Sequence, residues 1–209
     1  MPDLDYRFDK YTEEYQADEL DEIRSFARDN DLPDGVGLEI GTNRGRFLTE
    51  LSQRRPGQTF VGVEWTKKHA ETAEKRLNRH DIDNAYVLNA DVKHVIPVLF
   101  DAGQLEDVFL LYPDPWWKTR HHKRRVIQPD FLDMLAPKMA DGSHLWIRTD
   151  VGPYADHMAG IIDAHCHFRA LPADDYPVDP FPRSTRERHV IRQGLPVHCL
   201  YYQKIEPSQ

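Results

Sequence analysis

Residues 35–45 read Gly35-Val36-Gly37-Leu38-Glu39-Ile40-Gly41-Thr42-Asn43-Arg44-Gly45. A short apolar run that stops at a glycine is the pattern of a buried strand ending in a tight turn. The next stretch is periodic: residues 44–54 place Phe47, Leu48 and Leu51 on one helical face. The same strand-then-helix pattern recurs outward along the chain. Residues 59–64, 85–88, 107–112 and 143–149 read as strands, and 66–80, 92–100, 128–139 and 153–164 as helices, with Pro129 suited to a first turn. Residues 167–171 and 196–202 supply two last strands. The run Val108-Phe109-Leu110-Leu111-Tyr112 is apolar on both faces, as the middle of a parallel sheet requires. This alternation predicts an α/β fold, a mostly parallel seven-stranded sheet with helices on both faces. Such sheets take ligands at the carboxyl ends of their strands, near the point where strand order reverses.

Composition sets outer bounds. The 209 residues are 40% hydrophobic and 30% charged, which suits one globular domain, expected over residues 32–209. No apolar stretch is long enough for a membrane helix. The start, Met1-Pro2-Asp3-Leu4-Asp5, shows no secretory core, and Cys166 and Cys199 are too few for a disulfide framework, so a reducing cytoplasm is expected. The formal charge of −8 argues at first against a nucleic-acid partner. Its distribution reverses that inference. Residues 1–31 hold eleven acids and four bases, −7, and the other 178 residues share −1. Within that near-neutral remainder lies a dense basic block, Lys118-Thr119-Arg120-His121-His122-Lys123-Arg124-Arg125, and a looser cluster, Arg183, Arg186, Arg188 and Arg192. The acidic segment 1–31 is expected to be mobile or loosely docked, with a short amphipathic helix around Ile23 and Phe26.

Three acids fall at strand ends. Gly41 and Gly45 let backbone approach a ligand at a helix N-terminus. Asn43, between them, tolerates a left-handed backbone better than most residues. Glu64 ends the second strand, placed to accept from ribose hydroxyls; Asp91 follows the third, within reach of an adenine amine; Glu39 suits a ligand ammonium. The arrangement serves dinucleotides and S-adenosylmethionine alike. The absence of G-x-G-x-x-G weighs against a nicotinamide dehydrogenase. After the fourth strand, Tyr112-Pro113-Asp114-Pro115-Trp116-Trp117-Lys118 reads as a stiff extended loop, because each proline disfavours helical geometry in the residue before it. Asp114 is its sole carboxylate, Trp116 and Trp117 offer faces for base stacking, and the cations after them can neutralise phosphates. His165 and His167 would share a strand face but have no companion ligands in the sequence, so no metal is expected. There is no G-x-S-x-G elbow and no phosphate loop of the G-x-x-x-x-G-K-[ST] type.

Leu38-Glu39-Ile40-Gly41, the run from Pro113 to Arg125, and Thr149-Asp150-Val151-Gly152-Pro153-Tyr154-Ala155 together resemble the bacterial tRNA (guanine-N7)-methyltransferase family, in order and spacing, over residues 36–203. The resemblance implies a Rossmann-like class I methyltransferase sheet with an antiparallel final strand. It implies S-adenosylmethionine held by Glu39, Gly41, Gly45, Glu64, Asp91 and Asp114, with Asp114 as the catalytic residue. Lys118 and Asp150 would contact the guanine, and Arg120, Lys123, Arg124 and Arg125 the tRNA. Ser184-Thr185-Arg186-Glu187 aligns with a substrate motif of the family, which has Thr in place of Ser184 and an aromatic in place of Arg186; Ser184 and Glu187 are the substrate contacts implied there. The enzyme would be a monomer or homodimer. Rival readings are a divergent paralogue acting on another RNA or on an exocyclic base amine, and a non-catalytic RNA-binding module of the same fold.

Overall fold

The computed structural model describes residues 13–172, 175 and 181–207. The acidic residues 1–12 and most of the proline-rich stretch 173–180 lie outside the described residues. The strands are β1 (Val36–Ile40), β2 (Phe60–Val63), β3 (Ala85–Leu88), β4 (Leu105–Leu111), β5 (Met139–Thr149), β6 (Phe168–Ala170) and β7 (His198–Lys204). They form one sheet in the order β3-β2-β1-β4-β5-β7-β6, parallel except for β7, which pairs antiparallel with β5 and β6. The chain leaves β1 toward β2 and returns past it to β4. The order therefore reverses between β1 and β4, and a crevice opens at their carboxyl ends.

Helices cover both faces. They are α1 (Glu13–Asp29), α2 (Arg46–Arg54), α3 (Lys67–Arg79), α4 (Val92–Leu99), α5 (Pro129–Leu135), α6 (Gly152–Asp163) and α7 (Thr185–Arg192). Side chains alternate across each strand. Leu38, Ile40, Val61, Val63, Val108 and Leu110 join residues of α1, α4, α5 and α6 in one core layer. Phe60, Phe109, Trp146 and Tyr201 join Phe47, Leu48, Leu51 and Leu77 in the other. One acid enters this second layer for structural reasons: Asp107 accepts from Trp146 Nε1 at 2.6 Å and from Arg55 at 2.9 Å, so its buried carboxylate is fully engaged.

The predicted strands and helices recur within a few residues, with instructive exceptions. The helix expected over 128–139 stops at Leu135 and tightens to a 3-10 turn over Ala136–Lys138, because Pro137 has no N–H for the helical ladder. Met139 thereby becomes the start of an eleven-residue β5. His165 and His167 do not share a strand; they stand in the turn before β6, where His165 Nε2 lies 3.2 Å from Asp133. Two elements were not foreseen: α7, and a 3-10 segment over Thr119–Arg124 inside the basic block. The acidic segment is not loosely docked where it is described. α1 is 17 residues long, Ile23 is fully buried in the core, and Phe26 packs edge-on against Tyr86 at 5.3 Å.

Candidate active site at the carboxyl ends of β1 to β5

β1 ends in the glycine turn. Gly41 and Thr42 donate backbone N–H bonds to Val63 O at 2.8 and 3.1 Å, which hold the turn against β2. Gly41, Asn43 and Gly45 all have left-handed backbones, with φ of 77°, 51° and 70°. The asparagine thus fills the role expected of it. A Cβ at Gly41 would face open space, so its glycine answers to φ alone; one at Gly45 would lie 2.8 Å from Ala73 Cβ, jamming α2 against α3. Glu39 lies under the turn, 4% exposed, and accepts from Thr42 Oγ1 at 2.5 Å. Burial pushes its carboxyl up to about 7, against the Thr42 hydrogen bond and aided by the charge of Glu64.

Glu64 ties the neighbouring elements together. One oxygen accepts from Asn43 N at 2.8 Å and the other from Thr66 N at 2.7 Å, at the start of α3. Each carboxylate oxygen has capacity for a second donor. Asp91 caps α4, with Oδ1 accepting from Lys93 N at 2.9 Å. Glu39, Glu64 and Asp91 therefore stand at the ends of three adjacent strands.

The loop after β4 is not extended throughout. Tyr112 and Trp116 have positive φ, 55° and 46°, so the chain turns sharply on either side of Asp114. Non-glycine residues held there store of order 1–3 kcal/mol of strain each, and persist only where their surroundings fix them. Tyr112 N donates to Arg148 O at 2.7 Å. Arg125 Nε donates to Pro115 O at 2.9 Å, and its guanidinium lies 5.0 Å above the Tyr154 ring. Arg124 stacks on Trp116 at 5.2 Å, and His121 meets the same indole edge-on. The Asp114 carboxylate that this scaffold presents is exposed and has no partner among the described residues. Beside it, Trp117 is 71% exposed. Lys118, Arg120 and Lys123 also face solvent, whereas Arg124 and Arg125 are half-buried in holding the loop. The five cations are thus not equivalent.

The β5 end supplies Asp150, paired with Arg186 of α7. One turn further in, Arg148 donates to both oxygens of Glu187 at 2.9 and 3.0 Å and to Tyr201 Oη at 2.9 Å, all buried. Ser184 caps α7 by accepting from Glu187 N at 3.1 Å. Ser184 and Glu187 are thus engaged in positioning α7 against β5, and Arg186 is the residue of that motif that reaches Asp150. Ser184-x-x-Glu187 is a capping-box pattern that marks α7 from sequence alone.

Other groups were not anticipated. The Tyr112 and Tyr154 hydroxyls are buried without a hydrogen-bond partner. Burial pushes the Tyr154 phenol up to about 12, against the pull of Arg125 and with the Asp114 charge adding to it. Orphaned hydroxyls beside a partnerless carboxylate suit a polar ligand. A cleft of about 650 Å³ over β5 to β7 shares none of these residues and is lined by His144, Trp146, Leu171 and Gln203. The candidate site is marked by its acids and cations rather than by cleft size. Among the described residues no group of three or more His, Cys, Asp or Glu could hold a metal, and no helix is long and apolar enough to cross a membrane.

A family model described as "Putative methyltransferase" matches residues 34–200. The tRNA (guanine-N(7)-)-methyltransferase of Myxococcus xanthus is 36% identical over 77% of this chain and 79% of its own length. That of Alkalilimnicola ehrlichii is 33% identical over 81% and 72%. The chain belongs to the bacterial tRNA (guanine-N7)-methyltransferase family. Solved structures agree on the fold. A SAM-dependent methyltransferase from Aquifex aeolicus superposes with a TM-score of 0.56 at 14% identity, over 90% of this chain and 92% of that one. Precorrin-6y C5,15-methyltransferase from Geobacter metallireducens gives 0.56 at 12%, over 88% of each. The sheet is the Rossmann-like sheet of S-adenosylmethionine-dependent methyltransferases.

Proposed function

We propose that this chain transfers a methyl group from S-adenosylmethionine to N7 of a guanine in tRNA, in the cytoplasm, as a monomer or homodimer. The observation that carries the proposal is the partnerless Asp114, held in a strained loop between the acids of β1 to β3 and an exposed face of cations.

The residues fit S-adenosylmethionine. Glu39 would pair with the amino-acid ammonium, Gly41 to Gly45 would line its backbone, Glu64 would accept from the ribose hydroxyls, and Asp91 would accept from the adenine amine. When bound, the cofactor supplies a methyl sulfonium electrophile. Guanine N7 is an in-plane acceptor that carries no proton, so its attack needs no base. The protein's task is to set nucleophile and methyl carbon in line at about 3–3.5 Å. Methylation leaves a positive purine. Asp114, free of competing donors, would offset that charge as it develops and hold the purine by its N–H groups. Lys118 and Asp150 would contact the guanine, with Arg186 holding Asp150. Trp117 would stack on a base, and Lys118, Arg120 and Lys123 would take phosphates.

The test is labelled methyl transfer to unmodified tRNA, ribosomal RNA and DNA in parallel. Label entering tRNA alone is the expected result. Label entering ribosomal RNA or DNA instead, or cofactor binding with no transfer at all, would overturn it.

A further inference from the structure

Among the described acids of α1, Glu19 alone turns inward. Asp18, Asp21 and Glu22 on the same helix are exposed, whereas Glu19 is 4% exposed. Its Oε1 accepts the Asp91 backbone N–H at 2.8 Å and lies 2.9 Å from His94 Nδ1. Its Oε2 is buried with no hydrogen-bond partner. A buried carboxylate oxygen left without a donor is costly, and in native structures such a group usually awaits a ligand or a water. Glu19 lines a cavity of about 40 Å³ with Glu22, Ile23, Leu88, Asn89 and Ala90 at the carboxyl end of β3; of the two acids only Glu19 is buried. That space admits an amino group or one water, not a purine ring.

Asp91, whose backbone N–H Glu19 accepts, spends only Oδ1 on capping α4. Two acidic oxygens without donors, Asp91 Oδ2 and Glu19 Oε2, therefore belong to residues joined through a single backbone N–H. An exocyclic amine carries two N–H donors. We propose that Glu19 is the second acceptor for the adenine 6-amino group of S-adenosylmethionine, so that α1 helps select the base of the cofactor. This rests on the proposed cofactor site at the strand ends. It gives the acidic N-terminal helix a role in specificity: hypoxanthine, with a carbonyl oxygen at the same position, would meet two carboxylates and be rejected.

Titration calorimetry on the full chain with S-adenosylhomocysteine and S-inosylhomocysteine tests it, with thermal melting of each variant as the folding control. The wild type should prefer the adenine compound by about 100-fold or more. Glu19→Gln keeps the size and one acceptor of the side chain and introduces a donor. It should weaken the adenine compound, strengthen the inosine one, and cut the preference about tenfold or more. An unchanged preference in a variant that melts like wild type would show that Glu19 holds water only and would overturn the proposal. Should Glu19→Gln not fold, the wild type decides with N6-methyl-S-adenosylhomocysteine: two acceptors demand both N–H groups and a loss of about tenfold, whereas unimpaired binding overturns the proposal. Failure of the wild type to bind S-adenosylhomocysteine at all, by contrast, would contradict the cofactor site itself.

Discussion

At pH 6 the buried Glu39 carboxyl retains a proton that an unfolded chain would already have released. Its folded value of about 7 lies above the ordinary 4.5. Between those values the native state binds more protons than the unfolded one, so stability falls as pH rises, by about 3 kcal/mol across the window. Glu39→Gln is neutral in both states. It should match wild type near pH 4 and exceed it in stability above pH 7, as read by urea unfolding at the two pH values; a parallel loss at both would contradict the burial argument. Cofactor binding has the opposite sense. In the proposed site an ammonium would pair with the ionised carboxylate, so below pH 7 the dissociation constant should rise about tenfold per pH unit, and Glu39→Gln should flatten that profile.

The basic block divides into cations that build the loop and cations that face outward. Arg125, bonded to Pro115 O and stacked on Tyr154, holds Asp114 in place. Lys118, Arg120 and Lys123 are exposed. Replacing those three with Ala should reduce the slope of log K against log salt for tRNA binding by about 2–3, since each phosphate contact contributes roughly 0.7–0.9. A slope unchanged by the triple substitution would mean that this face does not meet RNA. Sequence alone could not sort the five, because stacking on Trp116 and Tyr154 depends on contacts between distant segments. The parallel strands and the helices between them were legible because each carries its own hydrophobic period. The glycine turn was legible too, since Asn43 sits where left-handed backbone is needed. The turns at Tyr112 and Trp116 were not, because local preference favours extended geometry before proline and tertiary contacts override it at Tyr112. Glu19 was hidden in a run of acids whose common fate is solvent.

Over the whole molecule, the net charge of −8 describes a far field that salt screens within about 8–10 Å, whereas a bound phosphate meets the local block. The acids of α1 do not sit on a detached tail, because α1 contributes Ile23 to the core beside α4. Ile23→Ala should therefore cost about 2–5 kcal/mol in urea unfolding; a cost under about 0.5 kcal/mol would mean that α1 is only loosely attached. Removing α1 would therefore strip core contacts as well as negative charge. Nucleoside analysis of unmodified tRNA after incubation with labelled S-adenosylmethionine tests the proposed methyl transfer most directly. The wild type should yield labelled 7-methylguanosine, and Asp114→Ala should yield at least about 100-fold less while binding S-adenosylhomocysteine within a few-fold of wild type. A different methylated nucleoside, or undiminished 7-methylguanosine from Asp114→Ala, would contradict the account.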